Sequence, residues 1–547
     1  GRAMTFASRL AERLGHIPAA RTRAVRVRRD IEIVMPDGVT LLADRYRAGG
    51  NGTEPLILMR SPYGRGNVWG LGARLFAERG YQVLVQSCRG TGGSGGEFDA
   101  YRHEAEDGLT TLAWIERQPW FSGKIAMFGP SYLGIVQWAV ATDPPKSLRA
   151  LAAPISSARV RAFTYPEGTF SLESTLAWLG ILESQRRDWR TGPIDQLKAR
   201  QRMQRAPSTL PLSDADVAAT GAHVPFYQDW LARQDDDAFW APVEFDRHLA
   251  ALTVPVTMVT GWYDIFLPAQ LADYRVLRDA GRDVRLTIGP WKHTDPGVAG
   301  ESVRDALAWF DTHLLGRDIG SQRSRVRLFV GGDRRWVDAE EWPPPARSVP
   351  WHLQPDGALH PRIAAVSPPD RYRYNPADPT PSVGGTVLGR SGGRRDNRAL
   401  ERRADVLVYS SAPLARDVEI MGPVTADLYV RSTLEHTDFF ARLCDVEPSG
   451  KSWNICDGLS HLTPETWQRQ PDGSAHVAVS LWPAAHVFKR GHRIRVQVSS
   501  GAHPRFVRNL GGGEPFATAT AMHVADQEVW HDQDHPSAIV LPIRDPA

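Results

Sequence analysis

The chain has 547 residues, room for about three domains at the usual size. Its apolar share of 42%, charged share of 23% and formal net charge of +3 are those of an ordinary globular protein. They give no basis for binding nucleic acid or an anionic membrane. Three cysteines, Cys88, Cys444 and Cys456, are too few and odd in number for a disulfide framework. Cys444 and Cys456 flank the turn Pro448-Ser449-Gly450-Lys451 and could face each other across strands, but read as small core residues, with their pairing left open.

No apolar run of about 18 residues is present for a membrane span. Residues 4–29 are Arg-rich without the apolar centre of a signal peptide, so a cytoplasmic location is expected; Gly1-Arg2-Ala3 reads as an appended remnant. The 18 Trp, 41 Pro and 48 Gly point to many turns and aromatic-lined pockets rather than a helical bundle.

In chain order, Ile31-Glu32-Ile33-Val34 and Val39-Thr40-Leu41-Leu42 flank Pro36-Asp37-Gly38, which predicts a hairpin. Leu56-Ile57-Leu58-Met59 and Tyr81-Gln82-Val83-Leu84-Val85 are apolar runs read as strands. The helical spacing of residues 71–79 separates them and stops at Gly80. A glycine-rich loop follows over residues 88–96, then a helix over 107–117 and a short buried strand, Ile125-Ala126-Met127-Phe128. Strands and helices alternating at this spacing imply βαβ units in a mostly parallel sheet.

Residues 163–205 then carry helical periodicity, with Leu172, Leu176, Leu179 and Leu182 on one face. The segment 145–243 reads as a helical cap over the sheet. Asp235-Asp236-Asp237 within it reads as a solvated loop. The α/β pattern resumes with the strands 254–260 and 284–288 and a final amphipathic helix over 303–315. From about residue 350 helical periodicity gives way to short strands at 406–409, 424–430, 439–443, 476–481 and 493–498, the pattern of an antiparallel sandwich or jelly roll. The basic loop 390–403 has no interleaved aromatics and reads as solvated. The expected architecture is α/β: a catalytic domain over 4–144 and 244–350, a helical cap over 145–243, and an all-β jelly roll over 351–547.

The chemistry gathers on three strand ends. Gly129-Pro130-Ser131-Tyr132-Leu133-Gly134 follows the strand 125–128 and precedes a helical run, the strand–turn–helix setting of a nucleophile elbow. The spacing is G-x-S-x-x-G rather than G-x-S-x-G, so the motif alone does not decide. A phosphate loop is excluded, since no Lys-Ser/Thr pair follows. A serine hydroxyl is a poor nucleophile near neutral pH and needs a base, which in turn needs a partner to hold it. Asp264 and His293 each follow a strand, in Gly261-Trp262-Tyr263-Asp264 and Gly289-Pro290-Trp291-Lys292-His293. In a parallel sheet those ends share one edge, and the order Ser…Asp…His is that of the α/β-hydrolases. His103-Glu104-Ala105-Glu106-Asp107 resembles a metal cluster only superficially; it opens a helix, where acidic residues suit the dipole. No metal or cofactor is expected.

These stretches, with Arg60-Ser61-Pro62-Tyr63, Gln86-Ser87-Cys88-Arg89-Gly90, Gly491-His492-Arg493-Ile494, Pro504 and Asn509, resemble the cocaine-esterase-like serine hydrolases. That group is related to the X-Pro dipeptidyl-peptidases and the α-amino-acid ester hydrolases. The resemblance implies Ser131 as nucleophile, His293 as general base and acid, and Asp264 as its orienter. It also implies an oxyanion hole formed by the Tyr132 backbone N–H and the Tyr63 phenol. Where the amino-acid ester hydrolases carry acids that bind a substrate ammonium, this chain has Ile265 and Phe266. With Phe163 and Trp178 in the cap, Phe266 would line a pocket for a neutral, aromatic or bulky acyl group. An esterase acting on a small-molecule ester is therefore expected, with an X-Pro-type peptidase or β-lactam acylase as alternatives. A carbohydrate- or protein-binding role for the jelly roll is the alternative of another class. A homodimer is compatible with the sequence.

Overall fold

The computed structural model describes residues 2–50, 52–186, 192–317 and 324–545. A helix, α1 (Arg2–Leu14), precedes a ten-stranded sheet. Its strands are β1 (Val25–Val34), β2 (Thr40–Ala48), β3 (Leu56–Ser61), β4 (Gln82–Ser87), β5 (Ile125–Phe128), β6 (Leu148–Ala152), β7 (Val256–Tyr263), β8 (Val284–Lys292), β9 (Val326–Val330) and β10 (Arg335–Ala339). The spatial order is β1-β2-β4-β3-β5-β6-β7-β8-β9-β10, and pairing is parallel from β4 through β9. The expected hairpin is β1–β2, antiparallel.

The central strands read as unbroken apolar runs because both faces are covered. Leu56, Leu58, Ile125 and Met127 pack on one side, with residues of α3 (Glu104–Glu116), α4 (Tyr132–Val140) and α11 (Leu267–Asp279). Ile57, Met59, Ala126 and Phe128 alternate with them on the other, against α2 (Asn67–Ala77) and α12 (Pro296–Leu315).

One boundary moves. Residues 148–152, assigned above to the cap, form β6 and pair in parallel with β5 and β7, so the sheet continues past residue 144. The cap that follows contains α5 (Val160–Thr164), α6 (Leu172–Arg186), α7 (Pro193–Arg205), α8 (Ala215–Thr220), α9 (Pro225–Ala232) and α10 (Asp237–Trp240). Part of the run 163–205 thus breaks into separate helices, and residues 187–191 lie outside the described residues. The acidic run is a helix start: the Asp236 carboxylate accepts from the Phe239 N–H at 3.1 Å.

The remaining strands are β11 (Arg347–Leu353), β12 (Leu359–His360), β13 (Asp370–Tyr374), β14 (Leu407–Ser410), β15 (Val418–Ser432), β16 (Thr437–Val446), β17 (Ser452–Leu462), β18 (Ala475–Phe488), β19 (Arg493–Ser499), β20 (Ala525–Trp530) and β21 (Ala538–Arg544). They form an antiparallel seven-stranded sheet and a four-stranded sheet, β14-β19-β16-β17, which share one core. The basic loop is largely used internally: Arg398 pairs with Asp396, Arg403 with Asp405, and Arg394 lies 4.0 Å over the Trp453 ring. Cys88, Cys444 and Cys456 are buried free thiols.

A buried charged cluster lies inside the sandwich, and its member Arg505 lines the cavity beneath the cap. The Asp457 carboxylate, 3% exposed, accepts from Arg442 at 2.7 Å and also from Arg505. Removing one partner of a buried ion pair strands the others, so Asp457→Asn is expected to cost about 3–5 kcal/mol, read as a lowered urea midpoint. A midpoint within error of wild type would show that the cluster contributes no net stability.

Candidate active site

The elbow is built by contacts that explain its spacing. Ser131 closes the turn between β5 and α4 with φ 58° and ψ −123°, a backbone state that costs a non-glycine residue free energy and persists only when its surroundings impose it. A Cβ on Gly129 would lie 2.3 Å from the Leu133 Cβ, and one on Gly134 would lie 2.3 Å from the Ser156 hydroxyl. The second glycine therefore falls three residues after the serine because there the helix passes over the chain leaving β6.

Ser131, Asp264 and His293 meet at the carboxyl edge of the sheet, as their positions after β5, β7 and β8 require. His293 Nε2 lies 3.0 Å from Ser131 Oγ, and Nδ1 lies 2.6 Å from Asp264 Oδ1. Asp264 is fully buried and its other oxygen accepts the Phe266 N–H at 2.9 Å. The carboxylate accepts a hydrogen bond from Nδ1–H and so holds that tautomer, which leaves Nε2 to accept from the serine hydroxyl. This is a geometry able to draw a proton from Ser131 and return it to a leaving group.

Two donors face the same space. Tyr132 is the first residue of α4, where backbone N–H groups have no intrahelical acceptor. The Tyr63 phenol reaches in from the loop after β3. Burial raises its pKa above the ordinary tyrosine value, partly offset by its polar contacts with Trp178 and Ser131, so it stays protonated. Ser131, His293, Tyr132 and Tyr63 line one cavity of about 570 Å3, joined by Phe163, Trp178 and Phe266, while Asp264 lies behind His293. The Phe163 and Phe266 rings meet edge to face at 4.7 Å. A cavity this size suits a small organic molecule.

Sequence reasoning passes over the support beneath Tyr132. Its phenol donates to Glu104 at 2.8 Å, and Glu104 in turn accepts from the fully buried Arg60 at 2.6 Å. The carboxylate that opens a helix in sequence is thus the anchor of the residue beside the serine. Asp295 is a second omission. It sits two residues after His293, accepts from the Lys292 N–H at 2.9 Å and lines the cavity. Its place just before Pro296 at the start of α12 was the signal available.

Comparison with known proteins bears on the family and the fold. The model of the X-Pro dipeptidyl-peptidase (S15 family) matches residues 37–295, and that of the X-Pro dipeptidyl-peptidase C-terminal non-catalytic domain matches residues 319–540. Cocaine esterase from Rhodococcus sp. is 34% identical over 564 residues, covering 94% of this chain and 98% of that protein. A putative serine esterase from Mycobacterium bovis is 26% identical, covering 86% and 85%. Among solved structures, an α-amino acid ester hydrolase superposes with a TM-score of 0.79 at 22% identity, over 96% of this chain and 98% of that one, and shares the fold. Fold and site define the class, a serine ester hydrolase on an α/β-hydrolase scaffold with an all-β C-terminal domain. Within that class the chain belongs to the cocaine-esterase-like branch of the X-Pro dipeptidyl-peptidase (S15) family. Among the described residues no helix is long and apolar enough to cross a membrane.

Proposed function

We propose that the chain hydrolyses carboxylic esters with a neutral, bulky or aromatic acyl group through an acyl-enzyme. The observation that carries this reading is the hydrogen-bond chain Ser131–His293–Asp264 opening onto an aromatic-walled cavity. Ser131 Oγ attacks the ester carbonyl and its proton passes to His293 Nε2. Asp264 holds the imidazolium. The Tyr132 N–H and Tyr63 O–H donate to the oxyanion. Collapse expels the alcohol, which takes the proton from Nε2, and water activated by His293 then releases the acid and restores Ser131. The three-part division of the chain is proposed as above with the first boundary moved to follow β6. A cytoplasmic location fits the three unpaired thiols.

A panel of p-nitrophenyl esters and aminoacyl-p-nitroanilides tests the reading, with benzoate-type esters expected to be preferred over acetate and over anilides. Phe266 is 5% exposed against Phe163 and the His293 ring. Phe266→Ala is expected to lower kcat/KM for a benzoate ester by about 10- to 200-fold, the range set by apolar pocket contacts, with a smaller loss on the acetate. Equal losses on both would remove Phe266 from the acyl pocket.

Aminopeptidase or dipeptidyl-peptidase activity is the second reading. Asp295 favours it, as a carboxylate on the cavity wall able to meet a substrate ammonium. Preference for aminoacyl anilides over esters in the same panel would establish this reading in place of the first.

A further inference from the structure

We propose that Trp178, on the cap helix α6, is a positioning residue for the oxyanion hole, so that the hole is completed by the cap. The inference rests on the esterase reading above and concerns how its donors are held.

Trp178 touches both tyrosines. Its indole Nε1–H donates to the Tyr63 phenol oxygen at 3.0 Å. Its ring lies against the Tyr132 ring at a centroid distance of 5.9 Å and an interplanar angle of 23°. Tyr101 packs against both, at 4.9 Å from the Tyr132 ring and 6.0 Å from the Trp178 ring, so the three rings form one cluster. A phenol can donate one proton and accept on two lone pairs. With one lone pair occupied by the Trp178 N–H, rotation of the O–H toward the cap is disfavoured and the proton points to the serine side. A donor held in place before reaction costs no reorganisation when charge develops. An acceptor that is itself hydrogen-bonded also donates more strongly, since hydrogen bonds in a chain polarise one another.

The brace is itself tied down. Glu173, five residues earlier on α6, accepts from the backbone N–H groups of Leu388 and Gly389 at 2.8 Å each, and its own N–H donates to Pro504. The cap helix is thereby pinned to the sandwich at the point where Trp178 reaches the sheet edge. Because Trp178 also lines the acyl cavity, a bound acyl group and the oxyanion phenol rest on the same side chain. Acyl fit would then be expressed in kcat as well as in KM.

The test separates this role from that of a plain wall. p-Nitrophenyl acetate, whose acyl group is too small to span the aromatic pocket, is assayed with wild type, Trp178→Phe, Tyr63→Phe and the double variant. Trp178→Phe keeps an apolar ring and deletes the N–H, and thermal denaturation confirms folding. The expected result is a fall in kcat of about tenfold, with KM little changed. Affinity for a trifluoromethyl ketone, which forms an oxyanion on Ser131, should fall by the same factor. In the Tyr63→Phe background the substitution should cost less than about twofold, because the two act as one unit. Unchanged acetate kcat in Trp178→Phe, with loss confined to KM for benzoate esters, would make Trp178 a wall only and overturn the proposal. Full additivity of the two substitutions would overturn it as well. If Tyr63→Phe alone left kcat unchanged, the oxyanion reading itself would fall. That outcome is distinct from one in which Tyr63 matters and Trp178 does not. Should Trp178→Phe not fold, Trp178→His, which restores a ring N–H, is read for partial recovery of kcat relative to Trp178→Ala; no recovery overturns the proposal.

Discussion

Replacing Ser131 by alanine is expected to lower kcat on any accepted ester by roughly 10^5- to 10^6-fold, the scale seen when a serine nucleophile is removed from a unit of this kind. Oγ is the atom that bonds the acyl carbon, and it is the hydroxyl that lies 3.0 Å from His293 Nε2. His293→Ala should cost a similar factor, and the double variant little more, because base and nucleophile act only together. Stability should behave differently. Alanine keeps the Cβ and therefore the strain at φ 58°, so Ser131→Ala should melt close to wild type. Ser131→Gly removes that penalty and should be the more stable variant by about 1 kcal/mol, while being equally inactive. Turnover by Ser131→Ala within tenfold of wild type, measured on freshly separated protein, would end the assignment.

The elements that sequence shows well are those whose cause is local. The elbow strand, the strands before Asp264 and His293, and the hairpin at Pro36-Asp37-Gly38 each carry their own apolar run and turn residues. β6 does not. Leu148-Arg149-Ala150-Leu151-Ala152 has no β-branched residue and is composed of good helix formers, so its strand state comes from its neighbours β5 and β7, which tertiary context alone supplies. The site divides in the same way. Ser131, Asp264 and His293 follow from strand ends and chain order. Tyr63 is legible only through the family resemblance, since a loop tyrosine has no distinguishing pattern. Glu104 looks like a helix-opening acid until Arg60 and Tyr132, far away in sequence, are seen to converge on it. The Trp178–Tyr63 bond joins residues separated by 115 positions and leaves no trace in either neighbourhood.

Tyr63→Phe carries the second large effect. Deleting one oxyanion donor typically costs about 10^2- to 10^3-fold in kcat, or about 2.7–4 kcal/mol, and the substitution should do so with little change in KM because a ground-state carbonyl gains less from the phenol than the oxyanion does. The pH dependence gives the sign of the environment. An ordinary tyrosine ionises near pH 10; burial raises the pKa of Tyr63 above that, so the protonated, donating form persists through pH 10 rather than being lost there. Wild-type kcat on p-nitrophenyl acetate should therefore show no alkaline fall attributable to this phenol between pH 8 and about 10, and the ratio of wild type to Tyr63→Phe should stay constant across that range. A ratio that shrinks as pH approaches 10 would mean that the phenol ionises at its ordinary value and that the loop holding it admits water. The variant also strands the Trp178 N–H, which donates to the lost oxygen at 3.0 Å. A stability loss of about 1 kcal/mol is expected from that alone, far too small to account for the fall in kcat. Thermal melts run beside the kinetics thus separate the loss of a donor from the loss of the fold.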